Sequence, residues 1–181
     1  LAQLPAYKVR PADNQPPYKF ETGTLNHEGI AGVTAAVDYL AAIGRQYGQS
    51  FAAEFTQYDG RRRDLKQAMT AIMADERELF SYMLTQLQAL PGVTVYGVTN
   101  PAEFAERCPT VAFTMSGHSP AEIATYLGQR GIFVWDGHYY AINAIERLGL
   151  AETGGAVRVG LAHYNTVAEV DRFIQALREL A

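Results

Sequence analysis

The sequence predicts an α+β chain, of the α/β class overall, in which an extended strap and two helices precede a small, mainly antiparallel sheet with helices on one side. Three observations predict it. Prolines crowd the first 24 residues; apolar residues then keep a helical period as far as residue 90; and after Pro91-Gly92 the pattern breaks into short alternating runs separated by helix-start signals.

In the strap, Pro5, Pro11, Pro16 and Pro17 forbid a long helix and favour an extended path. Asn26 reads as the cap of a first helix whose face carries Ile30, Val33, Val37 and Leu40, with Gly44 as its stop. Gly29, Ala31, Gly32, Ala35, Ala36, Ala41 and Ala42 keep its other faces small, so a second helix or a subunit can approach closely and the helix is expected to be buried. A longer helix follows from about Asp59 to Leu90, striped by Leu65, Met69, Ile72, Leu79, Met83, Leu87 and Leu90 and ended by Pro91-Gly92. The triplet Arg61-Arg62-Arg63 near its start reads as a solvated face or a contact with a neighbouring domain.

Val93–Tyr96 and Thr110–Met115 alternate as half-buried strands do. Ser119-Pro120-Ala121-Glu122 is a capping box with proline at the first helical position, opening a helix to about Arg130. Ile132–Trp135 reads as a strand ending at Asp136-Gly137, Ala141–Leu148 as a short helix and Ala156–Leu161 as a strand. Thr166 with Glu169 caps a closing helix striped by Val167, Val170, Ile174, Leu177 and Leu180. Three divisions follow: 1–58, the strap and buried helix; 59–92, the long connecting helix; and 93–181, a small α+β domain.

Apolar residues make up 48% of the 181, charged residues 19%, and the net charge is −4, a composition that offers no positive field to hold nucleic acid. A single cysteine, Cys108, excludes an internal disulfide framework and a multi-cysteine metal site, and fits a reducing, cytoplasmic setting. No apolar stretch reaches the roughly 18 residues of a membrane span, and the first ten residues lack a signal-peptide core. No metal site is expected. Neither a Gly-x-Ser-x-Gly elbow, a phosphate-binding glycine loop nor a His-Glu-x-x-His helix is present.

Three groups of residues could still carry chemistry. Thr22, Gly23, Thr24 and Asn26 precede a helix N-terminus, where backbone N–H groups and the dipole favour an anion, although Asn26 alone suffices for plain capping. Asp136-Gly137-His138-Tyr139-Tyr140 crowds large side chains into a turn, costly unless packed or used. Arg158 interrupts an apolar strand; its planar fork suits a carboxylate, although spacing alone favours a plain arginine on an exposed strand face.

The run Phe20-Glu21-Thr22-Gly23-Thr24-Leu25-Asn26 and the segment Arg158-Val159-Gly160-Leu161-Ala162-His163-Tyr164-Asn165-Thr166 resemble the C-terminal part of a fold-type I pyridoxal-phosphate (PLP) enzyme, a class V aminotransferase of the cysteine-desulfurase-like subgroup. The resemblance implies that residues 1–58 end a large cofactor domain and that 93–181 form the C-terminal small domain. It implies that Gly23 and Thr24, beside Asn26, reach the PLP phosphate of the neighbouring subunit of a homodimer. It implies that Arg158 holds the α-carboxylate of an amino-acid substrate, with His138 and Tyr140 on the entrance loop. Asn165, Thr166, Glu169 and Asp171 match the family's Asn-Thr pair and following helix start.

Two departures qualify it. Where desulfurases and selenocysteine lyases carry a loop cysteine, this chain has Tyr140, which cannot form a persulfide, and Cys108 lies on another segment. Its lysines are Lys8, Lys19 and Lys66, none after the turn that carries the family's cofactor lysine. The expectation is therefore a fragment: no catalytic residue of its own, a cofactor domain missing on the N-terminal side, PLP belonging to the full-length parent, and no activity alone. The competing reading is a stand-alone, non-catalytic interaction or small-molecule-binding domain.

Overall fold

In the computed structural model, which describes all 181 residues, the chain forms two compact units, Leu1–Met69 and Thr70–Ala181. Helix α2, Gly60–Gln88, begins in the first and ends in the second.

The first unit holds the strap, with one 3₁₀ turn at Tyr18–Phe20, and helix α1, His27–Tyr47. The Asn26 side chain accepts the Gly29 N–H at 2.8 Å, the capping bond that its residue type predicts. Two expectations need correction. Helix α1 does not stop at Gly44 but runs on to Tyr47 and closes at Gly48, whose N–H reaches the Gly44 carbonyl. Gly44 serves packing: a Cβ there would sit 1.8 Å from the Asp64 carbonyl oxygen of α2. Nor is α1 buried in this chain. Only Ala41 and Gly44 are, because only the last turns of α1 meet α2; Ile30 and Val33 stay 52% and 67% exposed. The arginine triplet is used locally. Arg61 pairs with Asp38 at 3.5 Å, Arg62 lies over the Tyr58 ring, and Arg63 donates to the Ala52 carbonyl.

The second unit is built on four antiparallel strands, β1 Val93–Tyr96, β2 Thr110–Met115, β3 Trp135–Gly137 and β4 Ala156–Gly160, in the order β1-β2-β4-β3. Between them lie α3 Pro120–Gly128 and α4 Ile142–Arg147, and α5 Val167–Leu180 closes the chain. The period-2 alternation of strands divides their side chains between two faces. Val111, Phe113, Met115, Val157 and Val159 pack against Phe80, Met83, Leu84 and Leu87 of α2, Ile123 and Leu127 of α3, and Phe173, Ile174 and Leu177 of α5. The other face carries a smaller cluster, Ile145, Leu150 and Ala156 with Tyr96, Ala112 and Tyr139, and is otherwise open.

Both capping boxes form as their sequence words require: Ser119 with Glu122 and Thr166 with Glu169. The amide and hydroxyl donors of Ser119 and of Thr166 hold the two glutamates below the usual carboxylate range. The third strand is displaced. It spans Trp135–Gly137, not Ile132–Trp135, because the ladder to β4 begins only at Trp135 opposite Arg158; before it Ile132 and Val134 pack against the core without pairing, and Phe133 is exposed.

Candidate functional site

Register alone builds a row across the open face. Tyr96 faces Ala112, Ala112 faces Arg158, and Arg158 faces Trp135, one residue from each of the four strands. Arg158 is exposed, flanked in its own strand by the buried Val157 and Val159. Its guanidinium lies 5.7 Å from the Trp135 ring centre and 5.0 Å from that of Tyr139. No carboxylate pairs with it; the ion pairs are Arg45–Asp64 and Arg61–Asp38. An unpaired, outward guanidinium on an open sheet face has all its in-plane donors to offer an anion.

The turn after β3 delivers the next residues. Tyr139 and Tyr140 both occupy the left-handed backbone region, at φ of 52° and 59°, which non-glycine residues enter at a cost of about 1–3 kcal/mol each. Local bonds hold the turn: the Ala141 N–H donates to the His138 carbonyl at 2.7 Å, and the Tyr140 N–H to His138 Nδ1 at 3.1 Å. The result separates the two tyrosines. Tyr139 turns in, its hydroxyl donating to the Ala156 carbonyl and its ring packed on the small cluster. Tyr140 projects 91% exposed, its ring edge-on to that of His138 at 6.0 Å. Burial pushes the Tyr139 phenol up to about 12, against the opposing pull of the Arg158 charge.

Of the residues singled out in the sequence, Arg158, His138 and Tyr140 therefore lie in one unit, on or beside β3 and β4. Gly23, Thr24 and Asn26 belong to the other. Gly23, at φ +70°, and Thr24 are exposed just ahead of α1. Several amides at this helix end are already committed: His27 to the Leu25 carbonyl, Gly29 to Asn26 Oδ1 and Ile30 to the Asn26 carbonyl. Sequence reasoning missed Trp135 and Tyr139 as partners of Arg158, since only the strand register and the turn bring them together. Cys108 is exposed beside Pro109, on the rim of a cavity lined by Phe80, Phe104 and Arg107. No group of three or more His, Cys, Asp or Glu side chains could hold a metal ion, and no helix is long and apolar enough to cross a membrane.

With this geometry defined, the family can be stated: the aminotransferase class-V family matches residues 63–173, and the chain belongs to it. Among its relatives, a probable cysteine desulfurase of Mycolicibacterium paratuberculosis (strain ATCC BAA-968 / K-10) is 32% identical over 92% of this chain and 20% of its own length. A cysteine desulfurase of Cronobacter sakazakii (strain ATCC BAA-894) is 32% identical over 89% of this chain and 32% of its own. Among solved structures, the apo cysteine desulfurase from Thermococcus onnurineus NA1 superposes with a TM-score of 0.68 at 26% identity, over 92% of this chain and 34% of that one. The Escherichia coli cysteine desulfurase CsdA gives 0.61 at 25% identity, over 90% and 32%. The chain thus spans a fifth to a third of the length of these relatives.

The family is one of PLP-dependent enzymes, and each unit can be compared separately with what such a cofactor needs. Exposed backbone at Gly23 and Thr24 in the first unit and the unpaired Arg158 in the second each suit an anionic group; the second unit contains no lysine. Lys8 donates to the Ala12 carbonyl, Lys19 to that of Ala2, and Lys66 lies over the Tyr58 ring, all in the first unit.

Proposed function

We propose that this chain is the substrate-clamping portion of a longer PLP-dependent enzyme, cysteine-desulfurase-like, that acts on an amino acid. The observation that carries the reading is Arg158, held outward on the open sheet face with rings beside it and no carboxylate partner. Its role is to grip the α-carboxylate through two parallel N–H donors. His138 and Tyr140, on the strained turn next to β3, form the entrance to that grip. PLP, when bound, supplies an electron sink for breaking or rearranging bonds at Cα or Cβ.

Gly23 and Thr24, with Asn26 fixing the start of α1, contact the cofactor phosphate, and they do so across the interface of a homodimer. The exposed stripe of Ile30 and Val33 and the exposed strap residues Leu4, Tyr7 and Val9 give such an interface apolar area to cover. The cofactor lysine lies in a preceding segment of the longer protein, and the cytoplasm is its setting. Tyr140 takes the loop position where desulfurases have a cysteine, so transfer of sulfur to this loop is not part of the reading.

Arg158→Ala in the full-length protein tests it. Amino-acid affinity is expected to fall at least tenfold while PLP stays bound, as read by the cofactor's own absorbance. Unchanged affinity removes Arg158 from the clamp.

A further inference from the structure

We infer that Trp135 and Tyr139 are positioning residues that aim the Arg158 guanidinium, so that the carboxylate site is a three-residue device rather than a lone arginine; this rests on the clamp reading above. An arginine on an open strand face has several rotatable bonds and no inherent direction. Here two rings lie within the roughly 6 Å range in which a cation is drawn to an aromatic face. Trp135 has its backbone placed by the sheet, and Tyr139 has its ring placed by a hydrogen bond and packing, neither through the arginine side chain.

The sheet sets which face Trp135 is on. This residue opens the short ladder of β3 and faces Arg158 directly across it, so its ring emerges on the same face. Tyr139 is held by the turn and the small cluster: its hydroxyl is bonded to the Ala156 carbonyl, and its ring packs with Ile145, Leu150 and Ala156. Tyr140 shares the left-handed backbone but has neither this bond nor this packing, and projects outward. Asp136, next to Trp135 in sequence, faces Val157 in the register, so the row that holds Arg158 contains Tyr96, Ala112 and Trp135 and no carboxylate.

The division of labour follows from the shape of the group. Rings attract the guanidinium through its charge and cover its faces without consuming its in-plane N–H donors. A carboxylate needs those donors, two at a time. Aromatic neighbours therefore restrict the direction of Arg158 while leaving its valence for a ligand, which an acidic neighbour would not do.

The test uses the full-length, PLP-loaded protein, titrated with L-alanine and, as the ligand lacking a carboxylate, L-alaninamide, with affinity read from the cofactor's absorbance while the Arg158 Nε–H signal is followed by NMR. The wild-type protein is expected to bind L-alanine in preference to the amide, with an Arg158 signal displaced by the rings. Trp135→Ala and Tyr139→Leu should each weaken L-alanine binding about two- to fivefold and move the Arg158 signal towards that of a free arginine. Trp135→Phe should restore both. If Trp135→Ala does not fold, Trp135→Leu against Trp135→Phe makes the same comparison, bulk without a ring against a ring. Binding lost in Arg158→Ala but unchanged in the ring-deleting variants overturns the positioning role and keeps the clamp. Equal binding by Arg158→Ala and wild type overturns the clamp and the positioning role with it.

Discussion

Half-buried beside Arg158, Tyr139 has its phenol pushed up to about 12 because desolvating the phenolate costs more than the guanidinium returns, and nearby Asp136 adds to the rise. The unfolded chain releases this proton near the ordinary value of 10. Between those values the folded state binds a proton that the unfolded state does not, so stability is complete below about pH 10 and falls as pH rises towards 12. Denaturant midpoints of wild type and Tyr139→Phe are expected to converge over that window, the wild type losing the larger share; parallel curves would detach the shift from folding. Tyr82, raised chiefly by its bond to Asp171, adds a parallel loss in both proteins and cancels in the comparison. The neighbouring Tyr140 shares the left-handed backbone without the burial, so its strain is not repaid by packing, and the turn retains it where the entrance to the clamp is proposed.

Among the elements, α1 sets two glycines against each other. At Gly44 a Cβ would collide with the Asp64 carbonyl at 1.8 Å, whereas at Gly32 nothing lies within 4 Å. Gly44→Ala is expected to cost about 2 kcal/mol or more by separating α1 from α2. Gly32→Ala should gain about 0.5–1 kcal/mol from the lower entropy of the unfolded chain. Thermal unfolding of the two variants checks the contrast; equal effects would mean that α1 and α2 do not approach as described. In the sequence Gly32 reads as one of several small residues and Gly44 as a helix stop, since a collision depends on a partner that period and propensity do not name. Elements with local signals were legible: the two capping boxes, β1, β2, β4 and the stripe of α2 stand where their words predict. Strand β3 was not, because Ile132–Trp135 has the composition of a strand but hydrogen bonding to β4 begins only at its last residue. The same gap hid Trp135 and Tyr139, whose meeting with Arg158 depends on register and on two left-handed residues.

At the scale of the whole molecule, burial is uneven. Phe80, Met83, Leu84 and Leu87 of α2 are at most 2% exposed in the core of the second unit, while α1 buries two of its 21 residues. Amide exchange is accordingly expected to be slowest at 79–87, in β2, β4 and α5, and fast along residues 27–40, with the strap faster still. Slow exchange across α1 in the 181-residue chain would reveal a covering surface, and its dependence on protein concentration would identify self-association as the source. The row from Tyr96 through Ala112 and Arg158 to Trp135 crosses every strand of the sheet and has one consequence for how such a protein can change. Side chains alternate faces with every residue, so adding or deleting one residue within β3 would send Trp135 into the core and bring a neighbour out beside the arginine. Relatives of this chain can thus vary the site by exchanging side chains at fixed length, or by inserting residues in pairs, but single-residue gaps within these strands should be absent from its lineage.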